Sequence, residues 1–441
     1  MTTASAERSL SVPGPSPTRP SRWPRSFAAL EVGNYRLYLS AQMVATTGLW
    51  MQRIAQDWLI LELTGSVAAV GIAVALQFAP VLIFGLFGGV IADRFPKRRI
   101  LMVTQTTAAL LAVSLGTLTL SGHVAAWHVY LIACLLGFVT VVDNPTRQVF
   151  VSELVGPTHI RNAVSLNSSV FQFGALLGPA LSGLLIHAVG EGWSFLINAA
   201  ACSLVVIMLA VLRSPQVVRE PGSGANGQLR QGLRYIARTS EVGWTIALVG
   251  GLGLFGLNMP VILAAFADQE FRTGVSGYSI FNSLSAVGAL TGALISARRR
   301  EKLRLRVLVT CLATLSVVVM VASLTPYIWL FGALLVGVGL TTLLFLTGAN
   351  SLVQMTTTPA LRGRVMGVYI LVLLGGQALG GPTVGYLIDH FGVRPSMFLC
   401  GGMLALVALV ASLGIAKQSH LSLSLDLHPR EGRAPVQIVS H

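Results

Sequence analysis

Twelve long apolar runs set the strongest limit on how this chain can fold. They lie at roughly 37–62, 67–91, 100–121, 127–149, 162–188, 192–212, 243–266, 276–297, 306–324, 327–350, 365–388 and 394–415. A helix that crosses the hydrocarbon core of a bilayer needs about 20 mostly apolar residues. Only 10% of the residues are charged, against about 25% in soluble domains. The runs therefore predict an all-α membrane protein with twelve transmembrane helices.

The positions of the basic residues predict the orientation of these helices. Nearly all of the 30 Lys and Arg residues lie in the terminal segments or in every second loop. Only Arg272 and Arg394 lie in loops on the opposite side, and Arg53 lies within the first run. Because cytoplasmic loops are enriched in Lys and Arg, both termini are expected in the cytoplasm. This placement accounts for the net charge of +14 without a nucleic-acid partner.

The second part of the chain repeats the first part with a constant offset of 203 residues. The pairs that share this offset are Gly85 and Gly288, Gly89 and Gly292, Arg161 and Arg364, and Gly178-Pro179 and Gly381-Pro382. The repeat is imperfect, because Ser296 stands where Asp93 would recur. One offset maintained across three helices predicts two parallel, pseudo-symmetric six-helix halves related by an axis along the membrane normal.

The apolar runs and the repeat together predict the domain organisation. We expect a disordered cytoplasmic tail at 1–30, a first half at 31–213, a cytoplasmic linker at 214–241, a second half at 242–416 and a cytoplasmic tail at 417–441. The linker is rich in Gly, Pro, Gln and Arg, and its residues 228–238 are amphipathic. Such a pattern favours a helix that lies along the membrane surface.

A short stretch between the second and third runs carries the most specific motif. Gly85 and Gly89 are four residues apart, so a neighbouring helix can approach the face that they share. Residues 93–99 then combine one carboxylate, Asp93, with four basic residues. The positive charges alone would be explained by membrane topology. The carboxylate and the paired glycines require a further role.

This stretch resembles the signature loop of the major facilitator superfamily of secondary transporters. The family pattern reads Gly-x-Leu-Ala-Asp-Arg-x-Gly-Arg-Lys-x-x-Leu, and this chain matches it at Gly89, Ala92, Asp93, Arg94, Arg98 and Leu101. Pro96 replaces the Gly of the loop. The resemblance implies that Asp93 and its basic neighbours lock the inner side of the two halves in the outward-facing state. Further gating candidates are Arg147, Glu153 and Arg364.

The fifth run contains a glycine-proline pattern that is typical of a kinked, closely packed helix. Its members are Gly174, Gly178, Pro179 and Gly183. Gly and Pro are tolerated in spanning helices when neighbouring groups satisfy the freed backbone. The pattern resembles the motif in helix five of major facilitator antiporters, and this resemblance favours antiport. A generic kink is the alternative, because the Gly-Pro pair recurs in the eleventh run.

The first run contains ionisable residues, which are costly inside a membrane and are often functional there. Arg53 and Asp57 lie four residues apart on one helix face, so they can pair. Gln52 and Gln56 form a polar stripe beside them. We choose Asp57 as the proton-coupling carboxylate. A structural ion pair is the alternative, because Asp57 lies only about two turns from the loop at Gly65.

The fourth run ends in a second polar group. Asp143 and Arg147 are again four residues apart, and Arg147 and Glu153 can pair with Arg94 and Asp93 when the inner side closes. Ordinary interfacial pairing, which contributes little, is the alternative. Other residues expected to face the interior are Asn167, Gln172, Asn258 and Gln377, with Gln42, Gln77, Asn282, Phe171, Phe173, Phe281 and Phe345.

Segments 34–38, 50–63 and 145–154 resemble one branch of the superfamily, the bacterial efflux proteins related to the enterobactin exporter. This resemblance implies an inner-membrane exporter of small organic molecules. A mostly apolar lining with scattered amides favours an amphipathic drug-like or siderophore-like substrate. The four cysteines lie in apolar runs without metal-ligand spacing, so no metal or cofactor is expected.

We therefore expect a monomeric, proton-coupled exporter that works by alternating access. Its expected partners are a small-molecule substrate, protons and membrane lipids. An uptake symporter on the same fold is the first alternative. The second is a polytopic membrane enzyme or lipid-binding protein, but the scattered His residues form no catalytic set.

Overall fold

A bundle of long helices makes up almost all of the described chain. The computed structural model describes residues 25–156, 158–212, 228–298, 304–418, 421–425 and 436–440. The helices are α1 (Gly33–Thr64), α2 (Val67–Arg94), α3 (Lys97–Leu120), α4 (Ala126–Val155), α5 (Ile160–Val189), α6 (Gly192–Val211), α7 (Gln228–Arg238), α8 (Ser240–Gly251), α9 (Met259–Ala265), α10 (Gly274–Arg298), α11 (Leu305–Leu324), α12 (Ile328–Thr356), α13 (Pro359–Phe391) and α14 (Val393–Gln418). The π-helical segment Leu252–Gly256 lies between α8 and α9, and a second one, Phe266–Glu270, follows α9. Together these elements form one seventh span, Ser240–Glu270.

Short elements also form in the two segments that the sequence analysis counted as tails. Residues Arg25–Glu31 form a 3-10 helix directly before α1. Strands β1 (Leu421–Leu425) and β2 (Val436–Ser440) pair antiparallel, with Leu421 opposite Ser440. Local backbone hydrogen bonds therefore order part of each segment.

The predicted all-α fold with twelve spans is confirmed. Among the described residues, eleven helices are long and apolar enough to cross a membrane. The twelfth is α1, which has 32 residues and packs inside the bundle against α5 and α6. Four charged residues within α1, Arg36, Arg53, Asp57 and Glu62, lower its mean hydropathy.

The two halves repeat the same packing arrangement. In the first half α2 packs on α4, α3 packs on α6, and α1 packs on α5. In the second half α10 packs on α12, α11 packs on α14, and the seventh span packs on α13. Because the offset of 203 residues relates each helix to its counterpart, the predicted pseudo-symmetry is confirmed.

The halves meet through two helix pairs, α2 with α13 and α5 with α10. The internal repeat relates α2 to α10 and α5 to α13, so the two pairs are equivalent by pseudo-symmetry. A Cβ atom on Gly71 would lie 2.1 Å from the carbonyl oxygen of Gly381, and one on Gly183 would lie 2.5 Å from the Cβ of Ser279. Small residues thus let the backbones approach closely. We call this interface the seam: residues 66–71 with 381–389, and residues 176–183 with 278–283. The seam end of the bundle holds the α1–α2 turn, and the linker end holds α7.

The packing of the paired glycines differs from the sequence expectation. A Cβ on Gly89 would have no atom within 4 Å, and one on Gly85 would meet only Val81 of its own helix. The expected close approach to this face is therefore wrong for this conformation. Gly88 instead lies against α4, where a Cβ would be 2.0 Å from the carbonyl oxygen of Val141. Within 4 Å of a Cβ at Gly85 or Gly89 there is no described atom of another helix.

The amphipathic helix α7 has the expected bounds and packs on the second half. The Tyr235 hydroxyl donates to the carbonyl oxygen of Thr356 at 3.1 Å, and Arg364 donates to the side chain of Gln231. Tyr235 and Ile236 also pack against the hydrophobic core of the second half. Leu233 remains exposed. The position of α7 along the membrane surface stays a prediction. Residues 214–227 of the expected linker lie outside the described residues.

Candidate functional site

Asp57 lies beside the seam, where α1 of the first half meets α10 of the second half. Its carboxylate is buried, with 9% of the residue exposed. The hydroxyl of Tyr278 on α10 donates a hydrogen bond to Asp57 Oδ2 at 2.9 Å. The ring of Tyr278 stacks on Trp58, with centroids 6.2 Å apart. One buried carboxylate therefore links the two halves directly.

Arg53 does not form the ion pair with Asp57 that their spacing favoured. Among the described residues, the pairs within 4.0 Å are Lys97–Glu153, Arg147–Asp143 and Arg394–Glu270. The Arg53 guanidinium carbon instead lies 5.0 Å from the ring centroid of Trp50, in a cation–π contact. Its buried Nε has no hydrogen-bond partner in the described part of the chain. The expected pairing is wrong, because each charge turns toward a different neighbour.

Several of the candidate amides stabilise helices rather than face an open interior. Gln52 accepts a hydrogen bond from Asn198 of α6 at 2.5 Å, inside the first half. Asn258 lies 1% exposed at the break before α9 and donates to the carbonyl oxygens of Gly253 and Leu254 at 3.2 and 3.0 Å. Gln377 donates to the Leu257 carbonyl oxygen at 3.3 Å. These bonds give partners to backbone carbonyl groups at the place where the seventh span departs from regular α-helical hydrogen bonding.

The remaining interior candidates separate into an accessible set and a buried set. Asn167 and Gln172 are half-buried on α5, and Phe171 and Phe173 on the same helix are exposed. Gln56, Phe281 and Phe345 are buried. Phe281 packs among Phe266, Phe271 and Phe331. Gln56, Phe281 and Phe345 are therefore not accessible to a solute in this conformation, and a role for them in transport stays a prediction.

Asp143 and Arg147 form an ion pair within the first half. Asp143 also accepts hydrogen bonds from Thr104 at 2.8 Å and from Gln105 at 3.0 Å, both on α3. Arg147 Nε donates to Asp143 at 3.0 Å. This network joins α3 to α4. A gating role for the pair stays a prediction.

Among the described side chains, the expected gating residues of the signature loop have separate partners in this conformation. Glu153 pairs with Lys97 at 3.8 Å rather than with Arg94, which is exposed. Arg98 donates to the carbonyl oxygen of Ala210 at 2.6 Å. The side chain of Asp93 lies outside the described part of the structure. Its gating role, like those of Gly89 and Arg364, stays a prediction.

The glycines of α5 lie where this helix crosses α1 and α10. A Cβ on Gly174 would lie 2.6 Å from the Thr46 side chain, and one on Gly178 would lie 2.4 Å from the Cβ of Trp50. Pro179 is buried beside them. The pattern therefore positions α5 against the helix that carries Asp57.

Sequence reasoning missed two side chains that join the halves. Tyr278 lies in an apolar run without a local motif. Asp389 lies at the end of the eleventh run and accepts hydrogen bonds from Ser66 Oγ at 2.6 Å and from the backbone N–H groups of Val67 and Ala68 at 3.0 and 3.1 Å. A carboxylate near the end of a span was the available signal for Asp389.

Two repeat-related halves that touch at one end of a bundle, with a buried carboxylate beside their seam, can rock about that contact. This is the architecture of a secondary transporter of the major facilitator superfamily.

A family model described as transmembrane secretion effector matches residues 25–434, and the chain belongs to this family. The chain is 24% identical over 360 residues to the enterobactin exporter EntS of Escherichia coli O1:K1 / APEC, a match that covers 80% of this chain and 85% of that protein. The same exporter from Shigella boydii serotype 18 (strain CDC 3083-94 / BS512) gives the same identity and coverage.

Solved structures show the same fold. A bacterial homologue of the human lysosomal transporter Spinster, in an inward-facing and unoccupied conformation, has a TM-score of 0.70 at 15% identity, covering 87% of this chain and 98% of that chain. The nucleoside transporter NupG has a TM-score of 0.67 at 14% identity, with coverages of 87% and 99%. Because the chain belongs to this family and has many membrane-spanning helices, the protein is a multi-pass membrane transporter and not an enzyme.

Proposed function

We propose that the protein exports a small amphipathic organic compound in exchange for protons, and that Asp57 carries the proton. The observation that carries this proposal is the buried Asp57 carboxylate bonded across the halves to Tyr278. Ionisable groups inside a spanning bundle mark ion and proton pathways. At this position a proton acts on the contact that holds the two halves together.

The Asp57–Tyr278 bond supplies a physical reason why the empty, deprotonated carrier stays in one conformation. An ionised carboxylate is the stronger acceptor, so the bond favours the closed seam when Asp57 is deprotonated. Bound substrate must offset this bond before the seam opens. The empty, deprotonated carrier therefore does not open the seam on its own.

The orientation of the protein follows from its basic residues in this proposal. The linker end carries most of the Lys and Arg residues, so it faces the cytoplasm together with both termini. At that end, Gly85 and Gly89 of α2 and Gly363 of α13 lack neighbours within contact distance of a Cβ, apart from Val81. We therefore propose that the described conformation faces inward, ready to receive a cytoplasmic substrate. The protein acts as a monomer surrounded by lipid.

The substrate class is supported by the relatives and by the side chains of α5. Phe171 is exposed and packs edge-on against Trp50 at 5.6 Å between ring centroids. Phe173 is also exposed, and the half-buried amides of Asn167 and Gln172 lie on the same helix. Aromatic surface with a few amides suits a siderophore-like or drug-like compound. The similarity to enterobactin exporters favours the siderophore-like case.

The experiment uses purified protein in liposomes loaded with a pH-sensitive dye. A panel that includes a catecholate siderophore and an amphipathic dye is offered with and without a pH gradient. We expect substrate movement coupled to opposite proton movement, and Asp57→Asn is expected to abolish the coupled proton flux. Asp268→Asn is the matched control, because Asp268 is an exposed carboxylate.

Two results would contradict the proposal. Proton movement in the same direction as the substrate would establish the uptake symporter instead. Coupled efflux that persists in Asp57→Asn would remove Asp57 from the mechanism.

A further inference from the structure

We propose that Asp389 is a latch that holds the seam closed, by capping the first turn of α2 from the opposite half of the protein. Asp389 belongs to α13 of the second half, and α2 belongs to the first half. The inference rests on the proposed rocking of the halves, but it does not depend on proton coupling or on the direction of transport.

The contact uses groups that the first turn of a helix leaves unpaired. Asp389 accepts from the N–H groups of Val67 and Ala68, and Ser66 Oγ donates to it at 2.6 Å. Ser66 Oγ in turn accepts from the N–H of Ala69 at 3.3 Å. A helix N-terminus carries a partial positive charge, which favours an acidic group at this place. The carboxylate and the N-cap serine together satisfy the first three N–H groups of α2.

The latch also controls α1, which carries Asp57. The turn from α1 to α2 consists of Gly65 and Ser66, and Gly65 has φ +63, a left-handed conformation that favours glycine. So short a turn makes α1 and α2 move together. The bond of Asp57 to Tyr278 and the bonds of Asp389 thus fasten the same helical hairpin to the second half at two places.

A carboxylate such as Asp389 occurs in the α2–α13 pair of the seam but not in the repeat-related pair, α5 with α10. Helices α2 and α13 are antiparallel, and each ends in a carboxylate: Asp93 is the penultimate residue of α2, and Asp389 lies two residues before the end of α13. In the repeat-related pair, α5 and α10, the equivalent positions are Ile186 and Ser296. Both carboxylates therefore lie on the same antiparallel helix pair, and neither of them recurs in the other half of the chain.

The N-terminus of α2 at the seam end is capped by Ser66 and Asp389. Thr358, at the N-terminus of α13, makes no side-chain cap hydrogen bond of its own. The side chain of Asp93 at that end lies outside the described part of the structure. The cap at the seam end is therefore the contact that must break when the halves separate there.

The test measures opening of the seam at a site remote from Asp389. Ser279 of α10 is 2% exposed and faces Gly183 of α5, so Ser279→Cys reacts with a thiol reagent only when the α5–α10 contact opens. The reporter is placed in a background without the four native cysteines, and the protein is labelled in lipid nanodiscs. Substrate and pH gradient are absent. The result is therefore independent of the proposed antiport.

We expect Asp389→Ala to accelerate labelling by about tenfold to a hundredfold, because a charge-assisted cap is lost from the closed seam alone. Asp389→Asn keeps one acceptor oxygen and is expected to give an intermediate rate. Asp268→Ala is the matched control, since Asp268 is an exposed carboxylate of the second half. This control is expected to label at the parental rate.

Unchanged labelling of Asp389→Ala would overturn the proposal, because a local cap that only stabilises the end of α2 would not move a reporter on the other helix pair. Equal acceleration by Asp268→Ala would overturn it as well, since a general charge effect would then suffice. If Asp389→Ala does not fold, Asp389→Asn decides the question: faster labelling supports the latch, and the parental rate refutes it.

Discussion

Replacing Gly71 with alanine tests whether the seam is the element that switches between two conformations. A Cβ at this position would lie 2.1 Å from the carbonyl oxygen of Gly381 and 3.0 Å from the nitrogen of Pro382. Ordinary contact begins at 3.4 Å, so α2 and α13 must separate by roughly 1 Å. The atoms in the way belong to the backbone, and no side-chain rotation relieves the overlap.

The magnitude follows from the known cost of overpacking. Adding a methyl group to a closely packed site costs about 1–3 kcal/mol. The overlap exists only while the seam is closed, so the cost applies to one conformation and not to the other. Because about 1.4 kcal/mol corresponds to a tenfold change, the equilibrium shifts toward the open seam by roughly 5- to 150-fold.

The assay is alkylation of the Ser279→Cys reporter, with thermal unfolding measured in parallel. Gly402→Ala in α14 is the matched control, because a Cβ there would have no atom within 4 Å. The general preference of helices for alanine over glycine is shared by both variants and cancels. We expect faster labelling in Gly71→Ala alone. Equal labelling rates, or a lower melting temperature without faster labelling, would refute the idea that the halves separate at this contact.

Two further substitutions test the polar contacts. Tyr278→Phe removes the donor to Asp57; because a hydrogen bond to a charged group contributes about 1.5–3 kcal/mol, the reporter should label at least about tenfold faster. The variant should also let protons leak into substrate-free liposomes. A leak rate equal to that of the wild-type protein would contradict this. Asp143→Leu leaves Arg147 without its carboxylate partner and should lower the free energy of unfolding by about 3 kcal/mol in denaturant titrations. The double variant with Arg147→Leu should recover most of this loss; no recovery would show that the pair is not the cause.

The amino-acid sequence by itself determined the spans and the repeat, and it singled out Asp57 as the candidate proton-coupling carboxylate. Helix α3, expected at 100–121, is found at Lys97–Leu120, and α6, expected at 192–212, is found at Gly192–Val211. Such agreement has a local cause: a chain in a bilayer must satisfy its backbone groups within each segment, so apolar length fixes each helix. A charge inside an apolar run is equally visible without any knowledge of its neighbours.

Only the tertiary structure decided which partner each polar group takes. Asp57 and Arg53 have the spacing of an ion pair, yet Asp57 bonds to Tyr278, 221 residues away, and Arg53 lies against Trp50. The sequence around Asp389 gives no sign of its partner, and only the placement of α2 beside α13 shows the hydrogen bonds that it accepts. These contacts depend on how two separate halves meet, and spacing along one helix carries no information about that arrangement.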